Sequence, residues 1–205
     1  MPAAPTFDLE REFAGLGGPV AGVDEVGRGP WAGPVVAAAV VLDPATAPEG
    51  LADSKALAAK RREALSASLH EVAEIGLGLA SVEEIDRLNI GQATLLAMVR
   101  AVDALPRAPA AALVDGNRPP RLACRVRTVV RGDQVSASIA AASIVAKVAR
   151  DRMMTDLAAA FPGYGWEKNK GYGAPAHRKG LDRLGVTQHH RRSFAPIAAL
   201  VERAA

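Results

Sequence analysis

An apolar stretch that contains two adjacent acids, AGVDEVGRGPWAGPVVAAAVVL at residues 21–42, constrains this chain most. Its β-branched residues and its central glycines and prolines predict two strands, residues 20–26 and 34–42, joined as a hairpin. Asp24 and Glu25 are neighbours in the first strand, so their side chains point to opposite faces. At least one carboxylate therefore faces the interior or a cleft, where acids occur only when they are paired or bind a metal.

The rest of the chain alternates between helical and strand-like patterns. A helix start is predicted at Asp53 or Ser54, and a capping box at Ser81 and Glu84. Strands that begin as a hairpin and continue as strand–helix units predict an α/β fold with a mixed sheet. Further strands are predicted at residues 75–81, 110–114 and 126–130, and helices at residues 60–73, 90–105, 136–160, 175–184 and 193–205.

Length and composition indicate one domain with a terminal extension. The chain has 205 residues, of which 49% are hydrophobic, so it can build a full core. Residues 1–18 predict a flexible N-terminal arm. The single cysteine, Cys124, excludes a disulfide within the chain, and no signal peptide or membrane-spanning run is recognisable. These features predict a soluble cytoplasmic protein.

Basic residues are concentrated in two segments, residues 118–131 and 168–192, although the formal net charge is only +3. Clustered lysines and arginines indicate a polyanionic partner and carry no information about the fold.

Two further acids follow apolar segments. Asp115 ends ALVDGN and Asp133 follows TVVRG. Sites in open α/β sheets lie beyond the carboxyl ends of strands, although Asp115 also suits an Asp-Gly turn and Asp133 a helix N-cap. Carboxylates without neighbouring cysteine or histidine favour Mg²⁺ or Mn²⁺, and His189-His190 lacks the spacing of a zinc site. A carboxylate pair acting on sugars is an alternative that the 4% of aromatic residues disfavours.

The motifs together resemble those of the type 2 ribonucleases H, in particular bacterial ribonuclease HII. Besides the opening stretch, the matching motifs are LADSK, EEIDRLNI, LLAMVRAV, LVDGN, VVRGD, SIAAASIVAKVARD, FPGYGW, NKGYGAPAH and HHRRSF. The resemblance implies a ribonuclease H-like fold, with a mixed five-stranded sheet flanked by helices and a C-terminal helical extension. It also implies one catalytic domain, residues 19–205, in which the helical region begins at about residue 160.

The resemblance further implies an endonuclease that hydrolyses the RNA strand of RNA–DNA hybrids. Such enzymes also cut 5′ of single ribonucleotides in duplex DNA, as in ribonucleotide excision repair, and leave 3′-hydroxyl and 5′-phosphate ends. The implied cofactors are two Mn²⁺ or Mg²⁺ ions. A monomer is expected, without a membrane partner, and SFAPIAALVERAA contains no recognisable clamp-binding motif. The implied catalytic and metal-binding acids are Asp24, Glu25, Asp115 and Asp133.

Residues that contact the substrate are also implied by the resemblance. Gly27, Arg28 and Gly29 are expected at the 2′-hydroxyl and its flanking phosphates, because glycine lets a backbone approach a ligand closely. Tyr172 is expected to stack on the sugar of the deoxynucleotide that follows the ribonucleotide. The candidate phosphate contacts are Lys55, Ser143, Lys147, Lys170, Arg191 and Arg192. A nucleic-acid-binding protein that has lost catalysis is a further alternative, which the intact set of acids disfavours.

Overall fold

A computed structural model describes residues 4–204 of the chain, which form a five-stranded mixed sheet between helices. The strands follow the order β3-β2-β1-β4-β5 across the sheet. The first three are antiparallel neighbours, whereas β4 runs parallel to β1 and β5 parallel to β4. The predicted hairpin and mixed sheet are thereby confirmed. The bounds are β1 Val20–Val26, β2 Val35–Val41, β3 Glu74–Ala80, β4 Ala111–Asp115 and β5 Arg125–Val129.

Eight α-helices surround the sheet or follow it within residues 4–204. Their bounds are α1 Asp8–Arg11, α2 Ala59–Val72, α3 Val82–Leu88, α4 Ile90–Asp103, α5 Ala137–Ala160, α6 Trp166–Asn169, α7 Pro175–Leu184 and α8 Ala195–Ala204. Over this described part of the chain, each helix is too short or too polar to cross a lipid bilayer.

Small residues bring the longest helix, α5, very close to the centre of the sheet. A Cβ atom added at Gly22 of β1 would lie 2.1 Å from the carbonyl carbon of Ser138, so only glycine fits there. The alanines of α5 complete one core with β2, and α4 covers the opposite face. The small residues of SASIAAAS, at the start of α5, allow this close packing of helix on sheet.

Local capping agrees with the sequence at one predicted helix start and disagrees at another. Ser81 and Glu84 form the predicted capping box at α3. The predicted start at Asp53 or Ser54 is wrong, because α2 begins only at Ala59. The Asp53 carboxylate instead accepts a hydrogen bond from the Lys55 backbone N–H at 2.9 Å, which closes a turn.

The N-terminal segment lies against the start of α5. Thr6 pairs with Ser136 in a parallel bridge. The Glu10 carboxylate accepts hydrogen bonds from the Ser136 hydroxyl at 2.7 Å and from the Ser138 backbone N–H at 2.9 Å. The mobility expected for residues 1–18 stays a prediction, and these contacts define how it can be tested.

Helices α6, α7 and α8 form the predicted C-terminal helical extension, which is confirmed. They enclose a separate apolar cluster around the fully buried Trp166. Met154 of α5 and Ala32, from the connection between β1 and β2, belong to the same cluster. The extension therefore packs directly on the segment that follows Asp24 and Glu25.

Candidate active site

Three predicted acids meet at one edge of the sheet. Asp24 and Glu25 lie towards the end of β1 and Asp115 ends β4, and these two strands are parallel neighbours. One carboxylate oxygen from each residue lies within 4.8 Å of the other two. Such a spacing suits shared coordination of a hard cation by oxygen ligands.

Asp24 is directed towards α5 and is almost completely buried, with 6% exposure. Its Oδ1 accepts a hydrogen bond from the Glu25 backbone N–H at 2.7 Å. Burial, followed by the charges of Glu25 and Asp115, raises the pKa of Asp24 well above its ordinary value, and the nearby Ser143 side chain of α5 partly offsets this rise. The site therefore has a deficit of positive charge.

Glu25 borders a small cavity on the α4 side, which also contains Thr94 and Met98. Its Oε1 accepts a hydrogen bond from Arg28 Nη1 at 3.2 Å, whereas Oε2 is buried without a hydrogen-bond partner. Burial raises the pKa of Glu25, and the Arg28 guanidinium partly offsets this. A buried carboxylate oxygen without a partner is costly, so these residues fit a bound divalent cation.

Asp133 is buried beside this group but does not belong to the three-acid cluster. It lies in a short 3₁₀ turn after β5, and the Gly132 backbone N–H donates to Asp115 Oδ1 at 2.7 Å. Burial, then the charges of Asp53 and Asp115, raises the pKa of Asp133 to about 6. Sequence reasoning missed Asp53 as a neighbour because its motif, LADSK, suggested only a helix start and a phosphate-binding lysine.

One loop follows β1, which carries Asp24 and Glu25, and a second loop packs against it. The glycine loop is residues 27–34 and the tyrosine loop is residues 170–173. Gly29 faces the ring of Tyr172, since a Cβ atom added there would lie 3.4 Å from Tyr172 Cε1. The Trp31 backbone N–H donates to the Gly171 carbonyl at 2.8 Å. Tyr172 is 49% exposed, so its ring is available to a ligand beside Gly29.

A buried histidine, His177, supports the tyrosine loop. This contact was not predicted from the sequence. Trp166 Nε1–H donates to His177 Nε2 at 3.1 Å, so His177 Nδ1 carries the proton and donates to the Tyr172 carbonyl at 2.9 Å. Burial lowers the pKa of His177, which favours this neutral form. A buried side chain thereby holds the carbonyl of Tyr172, while the ring of Tyr172 is half-exposed.

The candidate phosphate contacts differ in accessibility. Lys55 is exposed, and its charge acts on Asp133. Ser143 is buried, and its hydroxyl lies 2.8 Å from the Ser54 hydroxyl. Arg192 is exposed, but the prediction that Arg191 contacts phosphate is wrong, because its side chain is fully buried.

The remaining two lysines are engaged within the chain. Lys147 Nζ lies 2.6 Å from Asp151, whose other partner is Arg62. Lys170 Nζ donates to the Thr155 hydroxyl at 2.9 Å.

Comparisons with known proteins agree with this geometry. The family model described as "Ribonuclease HII" matches residues 21–197. A "Ribonuclease HII" of Jannaschia sp. (strain CCS1) is 63% identical over 198 residues, covering 96% of this chain and 98% of that protein.

Solved structures agree as well. The ribonuclease H2 of Pyrococcus horikoshii OT3 has a TM-score of 0.77 at 27% identity, over 90% of this chain and 97% of that one. A Bst-RNase HIII solved in complex with Mn²⁺ has a TM-score of 0.70 at 24% identity, over 91% of this chain and 70% of that one, and supports the fold alone. With the acids at the ends of β1 and β4 and the match over residues 21–197, this chain belongs to the ribonuclease HII family.

Proposed function

We propose that this chain cuts duplex DNA on the 5′ side of single embedded ribonucleotides, in addition to the hydrolysis of RNA–DNA hybrids that characterises its family. The products would be a 3′-hydroxyl and a 5′-phosphate. The observation that carries the proposal is the position of the three-acid cluster beside the two loops that bring Gly29 and Tyr172 together. A cleavage centre is thereby adjacent to a surface on which a sugar can stack.

Divalent cations would be held by Asp24, Glu25 and Asp115, with Asp133 as a further ligand. When bound, two such ions would neutralise the charge of the scissile phosphate. They would also lower the pKa of a water molecule, so that it can lose a proton and attack the phosphorus at neutral pH. Mg²⁺ and Mn²⁺ both prefer oxygen ligands.

The protein groups around the acids orient the substrate. Arg28 holds one oxygen of Glu25, and the Glu25 backbone N–H holds one oxygen of Asp24, so both carboxylates are oriented before substrate arrives. Gly29 is exposed, so its backbone could approach a ribose closely enough to read the 2′-hydroxyl, the group that distinguishes RNA from DNA, whereas Gly27 is buried against Arg150.

Tyr172 would stack on the sugar that follows the ribonucleotide. Its ring is half-exposed next to Gly29, which supports this role. A ribose at the glycine loop followed by a deoxyribose at Tyr172 describes an RNA-to-DNA junction.

Lysines and one arginine would bind the flanking phosphates. The accessible candidates are Lys55 and Arg192, whereas Lys147 and Lys170 would exchange their present partners for phosphate oxygens. Ser143, which is buried beside Asp24, would act mainly on the carboxylate. Binding through several cations falls steeply as salt concentration rises.

The test is cleavage of a DNA duplex that contains one ribonucleotide, in Mg²⁺ or Mn²⁺, by the wild-type chain and by Asp24→Asn. We expect a single cut 5′ of the ribonucleotide, its loss in EDTA, and a rate reduced by about 10³-fold or more in the variant. Asp156→Asn, which changes an exposed acid of α5, is the matched control. Cleavage that persists in EDTA and in Asp24→Asn would contradict the proposal.

Residues 19–205 would form the single catalytic domain of a cytoplasmic enzyme that acts in ribonucleotide excision repair. A monomer without a sliding-clamp partner is also proposed, and light scattering of the purified chain, alone and mixed with a clamp, tests both statements.

A further inference from the structure

Two arginines are buried next to the candidate active site without an acidic partner. Arg150 of α5 and Arg191, which follows α7, have no exposed surface. Across residues 4–204, neither guanidinium takes part in any of the observed ion pairs. Burial lowers the pKa of Arg150 to about 10, and burial together with the charge of Arg150 lowers that of Arg191 to about 9. Keeping two such charges inside a protein is costly, so their contacts require a reason.

Arg191 donates only to backbone carbonyls of the glycine loop. Its Nε donates to Gly33 at 2.9 Å, Nη1 to Arg28 at 3.0 Å and Nη2 to Gly27 at 2.6 Å. One planar guanidinium therefore fixes both ends of the segment that contains the proposed 2′-hydroxyl contacts. The fork geometry matters, because a lysine ammonium does not present donors in one plane.

Arg150 connects the glycine loop to the tyrosine loop. Its Nε donates to Pro34 at 2.9 Å and its Nη2 to Ala32 at 3.1 Å, while Nη1 donates to the Lys170 carbonyl at 3.0 Å. The contact between the loops is tight, since a Cβ atom added at Gly171 would lie 2.5 Å from the Ala32 oxygen. The separation of the two loops is thus set by Arg150 together with direct backbone contact.

We propose that Arg150 and Arg191 are positioning residues that fix the distance between the glycine loop and Tyr172, and thereby determine selectivity for a ribonucleotide followed by a deoxynucleotide. The inference rests on the proposed function and extends it. A single embedded ribonucleotide can be cut only if the 2′-hydroxyl and the next sugar are read together. A continuous hybrid offers a ribose at every position, so cleavage of the hybrid depends less on the spacing of the two loops.

The experiment compares kcat/KM for two substrates, a duplex with one ribonucleotide and a continuous RNA–DNA hybrid, in Arg150→Lys and Arg191→Lys. We expect the ratio of the single-ribonucleotide value to the hybrid value to fall about tenfold or more, mainly through kcat, because misplaced reacting groups slow the chemical step. Arg152→Lys, which changes an exposed arginine of the same helix, should leave the ratio unchanged. Melting curves show whether each variant is folded.

A second change moves the loops apart without removing a guanidinium. Gly171→Ala places a methyl group against Ala32 in a backbone with φ of +87°, and it should lower the same ratio. If the arginine variants do not fold, the ratio measured for Gly171→Ala tests the inference by itself. Equal losses on both substrates, or an unchanged ratio in every folded variant, would overturn the inference. A wild-type chain that does not cut the single-ribonucleotide duplex would remove the proposed function as well.

Discussion

Asp24 illustrates a conflict between stability and catalysis within one residue. Its carboxylate is buried beside Glu25 and Asp115, and all three lie at one sheet edge. The repulsion and desolvation that raise its pKa destabilise the folded chain when no cation is bound. In the proposed mechanism, the same charge would attract a divalent ion.

Asp24→Asn should therefore stabilise the metal-free chain while it abolishes cleavage. The amide keeps an oxygen for the Glu25 backbone N–H and removes the charge, so we expect a gain of about 1–3 kcal/mol. Melting in EDTA at pH 8 should shift upwards by about 2–4 °C per kcal/mol. With Mn²⁺ the difference should shrink, because the wild type binds the ion better. A variant that melts at or below the wild-type temperature in EDTA would contradict this.

Asp133 should make metal binding depend on pH. Its pKa in the folded chain is about 6, above the ordinary 3.8, so below pH 6 it is largely protonated and a poorer ligand. Mn²⁺ affinity measured by calorimetry should rise through this pH, and Asp24 and Glu25, whose pKa values are also raised, should contribute to the rise. Asp53→Asn removes a neighbouring negative charge, so the rise should move to lower pH. Superimposable curves for variant and wild type would refute the role of Asp53.

Individual site residues were predictable to different degrees. Asp24, Glu25 and Asp115 could be grouped through the resemblance to the ribonuclease HII motifs, whereas the residues alone left Asp115 open to an Asp-Gly turn. Arg191 could not be assigned correctly, because its partners are backbone carbonyls, which no residue type identifies. Its charge suggested phosphate, whereas the structure directs it inwards.

At the scale of elements, the contact between β1 and α5 tolerates the least change in side-chain size. Gly22 allows the helix backbone to approach the strand, and this contact positions Ser143 beside Asp24. The strands and long helices were predictable from β-branched runs and helical spacing. The start of α2 was not, because an Asp-Ser-Lys turn has the same residues as a helix N-cap.

Gly22→Ala should separate α5 from the sheet. The added methyl group would lie 2.1 Å from backbone that has no flexible side chain to give way. We expect a loss of about 3 kcal/mol or more in the free energy of unfolding, measured in urea. Gly15→Ala is the matched control, since nothing lies within 4 Å of the added atom. Similar losses in the two variants would show that the close contact is not the cause.

At the scale of the whole molecule, the question is whether the N-terminal segment is a flexible arm or part of the folded domain. A flexible arm predicts that removal of residues 1–18 leaves the melting temperature unchanged. The bonds from Glu10 to Ser136 and Ser138 predict a loss of about 2 kcal/mol or more, because hydrogen bonds to a charged group are strong. Arg11→Ala, which breaks only an exposed ion pair, should have little effect.

The connection from Arg191 back to Gly27 spans 164 positions of the chain. During synthesis the four acids leave the ribosome long before the guanidinium that shapes the glycine loop. Under the proposed roles, every acid that would hold metal therefore precedes along the chain the residue that would set substrate selectivity, and a chain that ends before Arg191 would lack the anchor of the glycine loop.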